Sequence, residues 1–181
     1  MNKPIRSFYY WWQIFNPEEV KKLDRVINKH LITDTDSPAT GVKKTGKVKF
    51  VKWEHVKNLM TPVVDLIHFV NMKNFGFHLY PLLDKKVLHY NVYEKGEEYG
   101  FHEDGISSQN PVSDFKLTCL LNLTLNPVEG GDFYLAHHHI DEFSKAGRLI
   151  IFPSFRCHAS KPVTKGIKKT LSLWMEGPKF V

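Results

Sequence analysis

Ile167-Lys168-Lys169-Thr170-Leu171-Ser172-Leu173-Trp174-Met175 carries two sets of side chains in alternation. Lys168, Thr170, Ser172 and Trp174 fall on one side of an extended chain, and Lys169, Leu171, Leu173 and Met175 on the other, because successive Cβ atoms of a strand point to opposite faces. One face is mostly apolar, and the other offers an ammonium and two hydroxyls. The same period of two begins at Lys86. It predicts strands near 87–95, 99–104, 115–124, 131–136, 147–152, 155–160 and 167–176. Turn signals punctuate the run at Lys95-Gly96, Asn126-Pro127, Glu129-Gly130-Gly131, Ala146-Gly147 and Lys165-Gly166. Short strands at this spacing mark a β-sandwich or barrel.

Upstream the period changes. Asn16-Pro17-Glu18-Glu19 reads as a helix start, with an Asn cap, Pro in the first turn and two carboxylates at the positive end of the macrodipole. Val20, Leu23, Val26 and Ile27 then recur at helical spacing, to about His30. Trp53, Leu59, Val63, Leu66, Ile67 and Val70 give a second helix, with Pro62 as a break or kink. Residues 32–48 lack an apolar period and read as a loop, one that either covers an active site or serves as a long surface connection. The expected class is therefore mainly β with N-terminal helices packed on one face of the sandwich. The expected organisation is one domain over residues 1–181, with 1–85 as helical support and 86–178 as the β core.

Composition agrees with a globular domain. The chain has 181 residues, 42% hydrophobic and 24% charged, enough to bury a core without disulfides. Its net charge of +6 favours anionic partners. The lysines are nevertheless scattered, and Lys43–Lys52 reads as a solvated loop rather than a nucleic-acid stripe. Cys119 and Cys157 each sit in an apolar strand-like stretch, which fits free thiols in a reducing compartment. Lys3 and Arg6 before the aromatic run Phe8–Trp12 resemble a signal peptide superficially. The run is too short and has no small-residue cleavage site, and no stretch reaches a membrane span. Packing against the sheet is the expected role of Phe8–Trp12.

Tyr99-Gly100-Phe101-His102-Glu103-Asp104-Gly105 places an imidazole and a carboxylate two residues apart at a strand end, on one side of the backbone. The run Gly147–His158 is an apolar strand, a Pro-Ser turn and a return strand ending in a second imidazole. Two His and one carboxylate on one face of an octahedron are a non-haem Fe(II) triad that leaves adjacent positions open, whereas structural zinc usually takes four protein ligands. If the sheet folds back over His158, the Lys168 ammonium would pair with the far carboxylate of a bound dicarboxylate. Lys169 takes that place if the register slips by one. His137-His138-His139 reads as a surface turn, since consecutive side chains do not converge on one ion. His55, His68, His78 and His89 read as surface or core-edge histidines, and Cys157 points away from His158.

Tyr93-x-x-Gly96-x-x-Tyr99-x-x-His102-x-Asp104, Leu117–Leu123, Gly130-Gly131-Asp132-Phe133, Gly147–Phe152 and His158 with Pro162-Val163-Thr164-x-Gly166-x-Lys168 together resemble the prolyl 4-hydroxylase-like branch of the Fe(II)/2-oxoglutarate oxygenases, over about residues 87–178. The resemblance implies a double-stranded β-helix (jelly-roll, cupin-like) core. It implies iron at His102, Asp104 and His158, the distal 2-oxoglutarate carboxylate at Lys168, and a hydrogen bond to the cosubstrate from Tyr93. Thr118, Asn122, Ser172 and Trp174 would line the same pocket, with Asn122 standing where relatives often have tyrosine. Trp174–Phe180 resembles small phage-encoded members.

The activity so implied consumes 2-oxoglutarate and O2, with ascorbate as an auxiliary reductant, and releases succinate and CO2. Related halogenases lack the carboxylate, so Asp104 favours hydroxylation. A peptidyl or protein side chain, with proline first, is the expected substrate. The alternatives are nucleic-acid demethylation or hydroxylation, which usually brings a pair of arginines after the distal histidine, and a non-catalytic metal-binding jelly-roll module. A monomer or weak homodimer in the cytoplasm, or in a host's cytoplasm if phage-encoded, is expected. Substrate choice is assigned to the loops Ile32–Val48 and Gly105–Asp114.

Overall fold

A computed structural model describes residues 8–32, 43–105 and 112–180. Lys3, Arg6 and the greater part of both candidate specificity loops (33–42 and 106–111) lie outside the described residues. In chain order the elements are β1 (Tyr10–Gln13), α1 (Pro17–Lys29), β2 (Lys47–Lys52), α2 (Trp53–Val70), β3 (Val87–Tyr93), β4 (Tyr99–His102), β5 (Ser113–Asn122), β6 (Glu129–Gly130), β7 (Phe133–Leu135), β8 (His138–His139), β9 (Arg148–Pro153), β10 (His158–Ser160), β11 (Val163–Lys165) and β12 (Lys168–Pro178). The larger sheet has the order β1-β9-β5-β12-β3-β2, the smaller β4-β10-β7-β8, and β11 pairs with β6. Every pairing within these sheets is antiparallel.

β12 sits at the centre and pairs with β3 and β5 at once, Thr170 standing opposite both Asn91 and Asn122. Its alternation therefore propagates across the sheet. Leu171, Leu173 and Met175 join Tyr90, Leu117, Cys119 and Leu121 on one face, and this face packs with Val20, Leu23 and Ile27 of α1 and Val56, Met60, Val63 and Ile67 of α2. Each such fully buried aliphatic side chain contributes about 1.5 to 3 kcal/mol. The other face carries Leu120, Ile150 and Phe152, which cluster with Phe133, Leu135, Ile140 and Phe143. Lys169 points to the helix side, where its ammonium and the Tyr90 hydroxyl share the Asp24 carboxylate (3.1 and 2.8 Å).

Three expectations need correction. The N-terminal segment is not purely helical, since β1 and β2 lie in it and form the two edges of the large sheet. Lys47–Lys52 is a strand, not a loop. Lys47, Lys49 and Lys52 are exposed while Val48, Phe50 and Val51 turn inward to differing degrees, and charges on an edge strand discourage pairing with another chain. Pro62 does not break α2, because both it and Asn58, whose carbonyl loses its partner, lie on the exposed side of the helix.

Phe8–Trp12 joins the sheet through β1, although Trp12 remains 52% exposed. His137 follows Ala136 in a left-handed turn (φ 65° and 48°) between β7 and β8, and His138 and His139 are exposed. Among the described residues, no helix is long and apolar enough to cross a membrane, and Cys119 and Cys157 are free.

α1 starts as its sequence dictates. Asn16 Oδ1 accepts from the Glu18 and Glu19 amides, and Glu19 accepts from the Asn16 amide. Asn16→Ala removes this box and should lower stability by about 1 kcal/mol, read as an earlier urea midpoint with an unchanged m-value.

Candidate active site

β4 and β10 pair so that His102 stands directly opposite His158. This register brings together two imidazoles that are 56 residues apart in the chain. Asp104 follows just beyond β4, fixed by its amide donating to the Ser154 carbonyl (2.9 Å). Ligand atoms of His102, Asp104 and His158 all lie within 4.8 Å of one another, and among the described residues this is the cluster of three or more such groups that satisfies that limit.

The donor set suits a metal ion. A carbonyl only accepts, so the contacts of His102 Nδ1 with Gly100 O (2.8 Å) and of His158 Nδ1 with Arg156 O (2.9 Å) place the proton on each Nδ1. Both Nε2 lone pairs are thereby left facing Asp104, at 3.5 and 3.4 Å from its carboxylate oxygens. Burial, reinforced by neighbouring His158, pushes the His102 pKa down to about 4, against the opposing pull of Asp104 and the Gly100 carbonyl. The ring is thus neutral at physiological pH, the state a metal requires.

Asp104 Oδ2 also accepts from Thr118 Oγ1 and from Trp174 Nε1, both at 2.9 Å, and Ser154 Oγ lies 3.0 Å from the Thr118 hydroxyl. These bonds hold the carboxylate in one orientation without occupying Oδ1. Trp174 and Thr118 are cross-strand partners on β12 and β5, so both reach Asp104 from the same face of the large sheet. The resemblance placed these two residues along a pocket; the structure gives them a more specific contact.

Lys168 shares that face and is 4% exposed. Its ammonium donates to Gly131 O (2.5 Å) and Ser160 Oγ (2.9 Å), and Ser160 lies two residues beyond His158 on β10. Burial lowers the Lys168 pKa to about 8, with Asp132 opposing. Tyr93 is the cross-strand partner of Lys168, its ring 5.9 Å from the ammonium, and its phenol is pushed well above the usual range, mainly by burial. The register thus brings Lys168, not Lys169, to the His158 side of the sheet.

Ser172 accepts from Asn91 Nδ2 (2.9 Å), which also reaches Thr170 Oγ1 (3.3 Å). Asn122 is engaged at both ends of its amide, donating to Phe143 O (2.7 Å) and accepting from the Thr124 amide (2.8 Å). It therefore braces the turn that carries Phe143. A cavity of about 420 Å³ runs along this end of the site, lined in part by Lys168, Asn122, Phe133 and Phe143.

Two groups that the sequence did not single out also border the triad. The Tyr99 ring stacks on His102 (3.6 Å between centroids, 17°). His89 packs edge-on against Trp174 (4.6 Å), and burial, with Lys44 as the next cause, lowers its pKa to about 4. Tyr99 lay within the quoted motif, whereas His89 had no spacing signal at all.

The lysines after His158 do not form one basic stripe. Lys165 pairs with Glu129 (2.7 Å), Lys168 is buried, Lys169 binds Asp24, and Lys161 lies over the Phe101 and Tyr134 rings.

Residues 88–176 match the family model of the 2OG-Fe(II) oxygenase superfamily. A PKHD-type hydroxylase of Janthinobacterium sp. (strain Marseille) is 34% identical over 94 residues, which cover 48% of this chain and 42% of that protein. One from Xylella fastidiosa (strain 9a5c) is 32% identical over 99 residues, covering 48% and 43%. The chain thus spans about two fifths of the length of the curated relatives it matches. In fold it is similar to a Pseudomonas putida prolyl-4-hydroxylase, with a TM-score of 0.71 at 14% identity over 95% of this chain and 94% of the other. It is also similar to the viral collagen prolyl hydroxylase of Paramecium Bursaria Chlorella virus-1, with a TM-score of 0.70 at 16% identity over 94% and 97%. A Trichoplax adhaerens prolyl hydroxylase, solved with a hypoxia inducible factor peptide fragment, gives 0.65 at 19% identity over 93% and 83%. The matched residues, the double-stranded β-helix and the converging His, Asp and His side chains agree: residues 88–176 are similar to the 2OG-Fe(II) oxygenase superfamily, and the fold is like that of prolyl 4-hydroxylases.

Proposed function

We propose that this chain is an Fe(II)- and 2-oxoglutarate-dependent dioxygenase that hydroxylates a peptidyl side chain, with proline the favoured residue. The observation that carries this reading is the convergence of two proton-free Nε2 atoms and a fixed carboxylate beside a sheet face that presents a buried ammonium. The substrate assignment draws on the fold neighbour solved with a peptide. We place catalysis in one domain over residues 1–181, in a reducing compartment such as the cytoplasm, as the two free thiols suggest.

His102, Asp104 and His158 would hold the ferrous ion, with Trp174 and Thr118 keeping Asp104 aimed. When bound, iron and 2-oxoglutarate supply the oxidative chemistry: O2 is consumed, 2-oxoglutarate leaves as succinate and CO2, and one oxygen atom passes to the substrate. Lys168 pairs with the distal carboxylate of the cosubstrate, and Tyr93, kept protonated by burial, donates a hydrogen bond to it. Phe133 and Phe152 pack against His158 (6.1 and 4.9 Å between ring centroids) and keep water from that side of the triad. Ascorbate would serve to keep the metal ferrous in an assay.

The test is turnover of 2-oxoglutarate with Fe(II), ascorbate and O2 against prolyl peptides, intact proteins and methylated oligonucleotides, scored by product mass. A gain of one oxygen on peptide is expected, and loss of methyl from an oligonucleotide would replace this reading. His158→Ala should abolish both turnover and metal retention, the latter measured by elemental analysis of the dialysed protein.

Trp174→Phe keeps an aromatic side chain, though a smaller one, and removes the bond to Asp104. It should weaken Fe(II) binding on the order of tenfold in a competition titration, and unchanged affinity would remove Trp174 from that role.

Lys168 binds an anion only while protonated, and burial holds its pKa at about 8. Affinity is therefore present below that pH and lost as pH rises through it. kcat/KM for 2-oxoglutarate, which reports the free enzyme, should fall above pH 8. Lys168→Ala should raise the 2-oxoglutarate requirement at every pH and flatten that fall.

A further inference from the structure

Residues 43–46 form a strap laid along β4. The Gly100 amide donates to Lys43 O (2.8 Å), the Thr45 amide to Glu98 O (3.0 Å) and the Glu98 amide to Thr45 Oγ1 (2.9 Å). Lys44 is thereby bridged to Tyr99. Gly46 completes the seat, since a Cβ there would lie 2.4 Å from the Tyr93 ring. The two lysines of the strap meet different fates. Lys43 turns outward and pairs with Glu98. Lys44 turns inward, its ammonium 4.4 Å from the centroid of the Tyr99 ring that stacks on His102.

Lys44 is partly buried and lies in the electrostatic field of Asp104, His102 and His89. Among the described residues it has no carboxylate within ion-pair distance. A partly desolvated cation over an aromatic face, with no direct carboxylate partner among the described residues, is completed by an anion. The cosubstrate already has a buried cation in Lys168, on the Gly131 and Ser160 side. Lys44 instead approaches the triad over Tyr99, whose ring stacks on His102.

We propose that Lys44 is a specificity residue that binds a carboxylate of the substrate next to the atom to be hydroxylated. This rests on the dioxygenase reading above. The carboxylate comes from a Glu or Asp side chain flanking the target in a peptide, or from the α-carboxylate of a free amino acid.

The test compares fluorescent prolyl peptides bearing Glu or Asp at each flanking position with their Gln or Asn counterparts, and adds unlabelled free L-proline as competitor. Binding to the Fe(II) and 2-oxoglutarate-loaded protein is read anaerobically by anisotropy, and oxygen gain is then read by mass after air is admitted. Acidic peptides, or free proline, should bind about tenfold more tightly than their amide counterparts or L-prolinamide. Lys44→Met should erase that difference, Lys44→Arg restore it and Lys44→Glu turn it towards Lys- and Arg-flanked peptides. Lys43→Met should retain it. Equal binding of acid and amide by the wild type, or a preference that survives in Lys44→Met, overturns the subsite, as does a loss in Lys44→Met that falls on the 2-oxoglutarate requirement alone. Charge-dependent binding that vanishes in Lys44→Met without oxygen gain on any probe upholds the subsite and overturns the hydroxylation reading instead.

Discussion

A strand hydrogen-bonded on both edges cannot rotate, and β12 is such a strand. Its pairing with β3 and β5 fixes which side chains share a face across three strands. Lys168, Ser172 and Trp174 are thereby committed to the same side as Tyr93, Asn91 and Thr118, while Lys169, Leu171 and Leu173 are committed to the helices. A slip of one residue would exchange the two sets. It would bury hydroxyls against α1 and α2 and turn leucines towards the triad. The apolar contacts with the helices hold the register, so the large hydrophobic cluster and the polar face are two consequences of one alignment.

The triad depends on a second alignment, that of β4 with β10, and the two meet at Asp104. Its carboxylate projects from the small sheet yet takes its orienting bonds from Thr118 and Trp174 on the large one. The two layers of the sandwich are thus joined by hydrogen bonds at the place where a metal ion would sit. Lys168 makes a comparable span in the other direction, from the large sheet to Ser160 on β10. Polar groups buried between layers are costly unless partnered, and here each one named finds its partner across the gap.

Much of this was legible in the sequence, because period-two alternation and the His-x-Asp spacing are local signals. The polar set on 168–174, the return strand ending in His158 and the capped start of α1 could be read directly, and the resemblance to a known family added Tyr93. Less legible were features set by contacts far apart in the chain. β2 was hidden because its outward lysines, which protect an edge, read as a solvated run. β1 was read as packing because aromatic residues alone do not reveal which edge they pair with. Asn122 sits on the predicted face, but nothing local shows that its amide is committed to Phe143 and Thr124. Lys44 is further still from prediction: only its bridge to Tyr99, 55 positions further along the chain, distinguishes it from Lys43.

Gly46 touches Tyr93 so closely that no larger residue fits without movement. The strap and the phenol are therefore mechanically continuous, one resting on the other. A single glycine thus sets how closely residues 43–46 can lie against the Tyr93 ring.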